Sequence, residues 1–289
     1  MRVFVTGATG YVGSAICVAL KRRGHDVVGL ARSPQAIEKL QRADVHPVAG
    51  DMRDAKVLRE MTHDADAVIH AAQEMSGENA AIQKTALEAM LSAVDTDHEA
   101  FVYTSGAWVY GDTNGKTVDE SAPLNPLPIV AWRPAIEQLV LEGAKHRLRT
   151  VVIRPGMVYG GTGGVIGGMV DQARAGQLKM VGDGKNFWTC VDVHALADLF
   201  VHALERAPSG SIYNASSENV PYGDIVRAAM KAAGKNGEPE RISIEDARKA
   251  MGPFADALAV DQKTSSAKAE RELDWLPGSG PVLKSFPAG

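Results

Sequence analysis

The first thirteen residues constrain this chain most. A β-rich run, Arg2–Thr6, leads directly into Thr6-Gly7-Ala8-Thr9-Gly10-Tyr11-Val12-Gly13, and a helical pattern over Tyr11–Arg23 follows. Glycine at these spacings permits a tight turn, a close backbone approach to a pyrophosphate and close packing of helix on strand. The start of the helix adds unpaired N–H groups and positive potential for phosphate. Because the loop joins a strand to a helix and a second strand comes next, the pattern predicts a dinucleotide site built on Gly7, Thr9, Gly10, Tyr11, Val12 and Gly13. The structural alternative is a plain tight turn.

The same strand-helix rhythm continues. Strands are predicted over Arg2–Thr6, Asp26–Leu30, Val45–Val48, Ala67–His70, Phe101–Thr104 and Thr150–Arg154, with helices over Tyr11–Arg23, Pro34–Arg42, Ala55–Thr62, Asn79–Val94 and Pro134–Lys145. Such alternation specifies an α/β fold whose parallel sheet is covered on both faces. After Tyr159 the texture changes to GGTGGVIGG and VGDGKN with mixed short elements. That places a dinucleotide-binding domain over 1–160 and a smaller lobe, mainly for substrate, over 161–289, with some of its segments returning to the first domain.

The second strand runs into Ala31-Arg32-Ser33. A carboxylate there would take the adenosine ribose hydroxyls, which Ala31 cannot do, whereas Arg32 can pair a 2′-phosphate. NADP(H) is therefore the expected cofactor, with NAD possible if Arg32 is only a solvated loop residue.

Charge excludes some partners. With 31 Lys+Arg against 35 Asp+Glu, a formal charge of −4, no general field for nucleic acid exists. The basic run Lys21-Arg22-Arg23 stands directly before Gly24 and reads as a helix stop, a phosphate-binding patch being the alternative. No apolar run approaches the roughly 18 residues of a membrane helix, and the start, MRVFVTGATG, has no signal-peptide pattern. A cytoplasmic chain with a small-molecule substrate is expected, without nucleic-acid or membrane partners. Cys17 and Cys190 lack metal-ligand spacing, and no metal site is predicted.

TGATGYVG, Gly50-Asp51-Met52-Arg53-Asp54, His70-Ala71-Ala72, YTSGAWVYG, the run from Arg154 to Gly160 and the terminal SSAKAERELDWLP together resemble the extended short-chain dehydrogenases/reductases, the superfamily of nucleotide-sugar epimerases and dehydratases. The resemblance implies a Rossmann-type doubly wound parallel sheet with a smaller C-terminal substrate lobe. It implies that Asp51 and Met52 meet adenine, that Ala71, Ala72 and Gln73 line the ribose path, and that Pro155, Gly156 and Val158 face the nicotinamide. Ser33 and Thr104 join the cofactor-binding set. Members of this superfamily pair through two helices, which implies a homodimer across Asn79–Val94 and Pro134–Lys145.

The usual catalytic set of that superfamily, a Ser or Thr after the fifth strand and a Tyr-x-x-x-Lys on the next helix, is absent. Aligning on Val109-Tyr110-Gly111 puts Gly106 at the hydroxyl position; aligning on Pro128 and Glu137 puts Ile129 at the Tyr and Arg133 at the Lys. The chain therefore resembles an atypical member. Pro134 fits only if the helix begins late, with proline in its first turn. Hydride transfer to a carbonyl builds charge on oxygen and needs a cation or donor there. Arg133 can be that cation or hold the nicotinamide ribose, and Ser105, Tyr110 and Tyr159 are the hydroxyls available near the strand ends. The bland alternatives are a surface pair of Arg133 with Glu137, packing for the tyrosines and a backbone cap for Ser105. Trp108, Trp132, Phe187 and Trp188 could line an apolar pocket, or belong to the core. His194 reads as a solvated or capping residue at a helix start, a catalytic histidine being the alternative.

Two function classes follow, with a third behind them. The first is an NADP(H)-dependent oxidoreductase reducing a small or medium organic carbonyl, imine or conjugated alkene. The second is a non-catalytic NADP(H)-binding sensor, and the third a non-redox isomerase or cyclase that uses the cofactor as a scaffold.

Overall fold

In chain order the first strands are β1 (Arg2–Thr6), β2 (Asp26–Ala31), β3 (His46–Ala49), β4 (Ala67–His70) and β5 (Ala100–Thr104). They are followed by β6 (Thr117–Val118), β7 (Thr150–Pro155), β8 (Met157–Tyr159), β9 (Met180–Val181), β10 (Phe187–Asp192), β11 (Ser211–Ala215) and β12 (Glu218–Pro221). The helices between them include α1 (Tyr11–Arg22), α2 (Pro34–Arg42), α3 (Ala55–His63), α4 (Asn79–Leu91), α5 (Arg133–Glu142), α6 (Gly164–Arg174), α7 (Val193–Arg206) and α8 (Tyr222–Ala232). This computed structural model describes residues 1–74, 78–94, 100–143, 148–278 and 280–286.

The seven-stranded sheet has the order β11-β7-β5-β4-β1-β2-β3, and each of its pairings is parallel. Strand periodicity sorts its side chains into two cores. Val3, Val5, Val27, Ile69, Val102, Val151 and Ile153 pack on one face with residues of α1 and α7. Their neighbours Phe4, Val28, Val68, Phe101 and Val152 pack on the other, against residues of α3, α4 and α5. Burial on both faces explains why the strands read as continuous apolar runs, and each large side chain so buried stabilises by about 1.5–3 kcal/mol.

A third core surrounds the small sheet β12-β10-β8. Trp188, Met157, Ile166, Met169, Tyr222 and Ile225 meet there, with Trp188 stacked on Tyr222 at 4.5 Å. Part of the late chain goes back to the large sheet. Strand β11 pairs with β7 along its edge, and α7 lies on α1, contributing Leu196, Leu199, Phe200 and Leu204 to the same core.

Predicted and observed elements differ mainly at their ends. The third strand lies one residue later than Val45–Val48, α4 stops at Leu91 rather than Val94, and Lys145 lies outside the described residues. Pro134 stands in the first turn of α5, which begins at Arg133, so the helix does start late. The cluster before Gly24 is a helix stop held by surface ion pairs, Lys21 to Asp44 at 2.7 Å and Arg23 to Glu205 at 2.5 Å. Cys17 and Cys190 are buried free thiols, the first pushed up to about 12 by desolvation. Among the described residues no helix is long and apolar enough to cross a membrane.

Candidate active site

The chain leaves β1 toward β2 and β3, then returns to β4 on the other side of β1, so a crevice opens between the ends of β1 and β4. The glycine loop fills that position. Gly7 has φ +72°, and a Cβ on it would lie 2.7 Å from the Ala71 carbonyl carbon; a Cβ on Gly13 would lie 2.0 Å from the Gly7 oxygen. Both sites therefore need glycine. Gly10 caps α1 without a side-chain hydrogen bond, which leaves N–H groups of the first turn available to an anion.

Behind the loop a buried relay fixes the opposite wall. The Thr6 hydroxyl donates to His70 Nδ1 at 2.7 Å, His70 Nε2–H donates to Gln83 Oε1 at 2.8 Å, and Gln83 Nε2 donates to the Ala72 carbonyl at 2.8 Å. Burial pushes the His70 pKa down to about 4, so the imidazole is neutral. The relay holds Ala71 and Ala72 against the loop.

The resulting cleft has a volume of about 570 Å³. It brings together Gly7, Thr9, Gly10, Tyr11, Val12 and Gly13 from the loop with Arg32 after β2. Asp51 and Met52 after β3, and Ala71, Ala72 and Gln73 after β4, complete the walls. This glycine-lined crevice fits an extended dinucleotide. Ser33 is not among the residues that line the cleft; its hydroxyl accepts the Ala36 N–H at 3.2 Å and caps α2. Tyr11 closes the far side. Its hydroxyl donates to the Gly160 carbonyl at 2.6 Å, and a Cβ on Gly163 would lie 2.1 Å from its ring.

A smaller cavity of about 260 Å³ continues from the cleft and shares Tyr11, Val12, Gln73 and Gly164 with it. Thr104, Ser105, Gly106 and Trp108 form one side, Pro155, Gly156 and Val158 another, and Val130 and Arg133 a third. Arg133 is buried, not paired with Glu137 on the surface. Its guanidinium donates to the Thr104 carbonyl at 3.2 Å and to Gln73 Oε1 at 2.9 Å, and lies 4.9 Å from the centre of the Trp132 ring. Desolvation lowers its pKa, yet an arginine remains charged. A fixed cation thus stands where cleft and cavity meet. Ile129, at the position of the usual Tyr, is 36% exposed, while its neighbour Val130 faces the cavity.

The three expected hydroxyls are otherwise engaged. Tyr110 is buried away from the cavity, donating to Asn214 Oδ1 at 2.8 Å and accepting from Arg154 Nη1 at 2.7 Å. Burial raises its pKa despite Arg154. It thus stands outside the residues that line the cavity, with its hydroxyl proton engaged. Ser105 lines the cavity, but its hydroxyl donates to Glu137 Oε1, so it offers lone pairs and no proton. Tyr159 donates to the Gly280 carbonyl at 2.6 Å. Of the four aromatics proposed for the pocket only Trp108 lines it; Trp188 is core, Phe187 lies under Lys263 and Trp132 under Arg133. His194 is exposed at the start of α7. No group of three His, Cys, Asp or Glu side chains among the described residues could hold a metal.

Sequence reading passed over the pair that organises this region. Glu137 and Arg154 are both buried and meet through Nη2 and Oε2 at 2.6 Å, with Nε at 3.1 Å from Oε1. Arg154 interrupts the apolar run VVIRP of a central strand, and Glu137 faces inward between Ile136 and Val140 on α5. Charges at two such positions need each other, and that was the available signal. Gln262, also missed, reaches from the late chain to the cavity and donates to the Ala107 and Gly111 carbonyls at 2.9 Å.

A parallel sheet with a glycine loop at its switch point and a cavity beyond the strand ends defines a dinucleotide-dependent enzyme architecture. The pattern of the NAD dependent epimerase/dehydratase family matches residues 3–216, and the chain belongs to that family. It is 32% identical over 287 residues to the uncharacterized protein C2A9.02 of Schizosaccharomyces pombe, covering 96% of this chain and 95% of the other. It is 30% identical to 4-hydroxy-2-methyl-3-oxo-4-farnesyl-3,4-dihydroquinoline-1-oxide ketoreductase of Stigmatella aurantiaca, over 74% of this chain and 67% of that one. Among solved structures, dTDP-glucose 4,6-dehydratase of Bacillus anthracis in complex with NAD superposes with a TM-score of 0.83 at 20% identity, covering 99% of this chain and 95% of that one. The last likeness concerns the fold.

Proposed function

We propose that this chain is an NADP(H)-dependent reductase of a small or medium organic carbonyl, or of an alkene conjugated to one. The observation that carries this reading is the buried Arg133 guanidinium at the junction of the dinucleotide cleft and the smaller cavity. When bound, the dinucleotide supplies a hydride at its nicotinamide end. As hydride reaches a carbonyl carbon or an alkene terminus, negative charge collects on the carbonyl oxygen, and a fixed cation in a desolvated wall stabilises it. Arg133 fits that task. The same cation repels an iminium, so imines fit less well. Ser105, whose proton is held by Glu137, can accept only from an N–H or O–H that a substrate carries beside its carbonyl, while water supplies the final proton, since the Ser105 and Tyr110 protons are engaged elsewhere. The ketoreductase name of one relative agrees with a carbonyl substrate.

NADPH consumption with a panel of ketones, conjugated enones and cyclic imines tests this. Turnover with ketones or enones, and little with imines, is expected. Tight NADPH binding with no turnover across the panel would favour the sensor. Pairing of two copies through α4 and α5 is also proposed. Their apolar sides belong to the chain's own core, so such an interface would join polar positions such as Lys84, Glu88, Gln138 and Glu142. A concentration-independent monomer mass in sedimentation rejects it.

A further inference from the structure

At the adenosine end, two arginines from different parts of the chain converge on one carboxylate oxygen. Arg32 Nη1, after β2, lies 3.6 Å from Glu74 Oε2, and Arg53 Nη1, after β3, lies 3.4 Å from the same atom. Arg53 also lies 3.3 Å from Asp51 Oδ1. The acid is the inner partner: its side chain is 19% exposed, against 71% for Arg32 and 49% for Arg53. Glu74 is held in place from behind, since its backbone N–H donates to Asn79 Oδ1 at the start of α4, at 3.2 Å. Arg32, Asp51 and Glu74 all line the dinucleotide cleft.

We propose that Glu74 sets the discrimination between 2′-phosphorylated and unphosphorylated dinucleotides by competing with a 2′-phosphate for Arg32 and Arg53. This rests on the reading of the cleft as an NADP(H) site. A phosphate monoester carries about −1.5 to −2 charges and is recognised through the same guanidinium forks that now face Glu74. To engage both arginines it must displace the carboxylate or accept a like charge beside it. A free ribose 2′-hydroxyl behaves oppositely, because it can donate to that carboxylate. The two arginines thus draw the phosphate while Glu74 opposes it and welcomes the hydroxyl. The outcome is a graded preference for NADP(H), with Arg53 as a second phosphate-binding residue beside Arg32.

Calorimetric titration of the whole chain with NADPH, NADH, 2′,5′-ADP and 5′-AMP tests this, in wild type, Glu74→Gln, Arg53→Ala and Arg32→Ala. Glu74→Gln should tighten NADPH and 2′,5′-ADP by about tenfold, the scale of one charge-assisted contact, while leaving NADH unchanged or weaker. Arg53→Ala should loosen the two 2′-phosphate ligands and spare NADH, whose binding also reports that each variant is folded. A Glu74→Gln variant that moves NADPH and NADH equally, or neither, overturns the proposal. Arg32→Ala separates the two levels. If it keeps the wild-type ratio of NADPH to NADH affinity, the reading of Arg32 itself fails; if it shifts that ratio and Glu74→Gln does not, only the role of Glu74 fails.

Discussion

Glu137 and Arg154 connect the wall of the cavity to the core. The carboxylate accepts from the Ser105 hydroxyl on one side and from Arg154 on the other, and Arg154 continues to Tyr110 and Asn214. Both members are about 3% exposed, so removing one leaves the other charge buried without its partner. Glu137→Gln should cost about 3–5 kcal/mol of stability, read as a fall in the urea midpoint; a loss below about 1 kcal/mol would show that the pair is dispensable. Ser105→Ala tests a different property. Because the Ser105 proton is engaged by Glu137, the variant should keep turnover within about tenfold, whereas a fall of about 10²–10⁴, the range of a lost general acid, would make Ser105 the proton donor after all. The types of these residues were visible in the sequence, but their bonds were not, since Ser105 and Glu137 stand 32 positions apart and meet only through the packing of α5 on the sheet.

Elements carry the most legible part of the account. Short apolar, β-rich runs alternating with 3.6-residue patterns located the six predicted strands and five helices, because burial of a strand on both faces and of a helix on one is stated locally in the sequence. The strand β11 was less legible, since nothing local says that residues 211–215 return to the far edge of a sheet begun at residue 2. The end of β4 adds a pH dependence. An unfolded histidine titrates near 6.5, whereas folded His70, neutral and buried, titrates at about 4. Between these values the unfolded chain binds more protons, so stability is full above about pH 6.5 and falls as pH drops toward 4, by about 3 kcal/mol in total. His70→Asn should be less stable at neutral pH yet flatter across that window, by unfolding midpoints at pH 7 and pH 4.5. Equal pH slopes in variant and wild type would contradict a neutral buried His70. Gly163→Ala should displace the Tyr11 ring it nearly touches and weaken NADPH binding several-fold; unchanged affinity would show that this contact is immaterial.

At the scale of the whole molecule, the dinucleotide cleft was readable because its residues follow successive strands of a parallel sheet, where topology alone brings them together. Ser33 carries a second task that the sequence also states, since a hydroxyl followed by Pro34 is a helix-start signal and caps α2. The catalytic side was readable only as a departure from a pattern: Gly106 and Ile129 announced what is missing, and Arg133 stood as the one charge left at the right place. The central claim is that Arg133 stabilises charge on the reacting oxygen. The most direct measurement is turnover of a ketone or enone accepted in the panel, by wild type, Arg133→Ala and Arg133→Lys, with NADPH affinity determined alongside. The account predicts a loss of about 10²-fold or more in kcat for Arg133→Ala, the scale of one electrostatic donor, with partial recovery in Arg133→Lys and NADPH affinity changed far less than turnover. Full turnover in Arg133→Ala would contradict it.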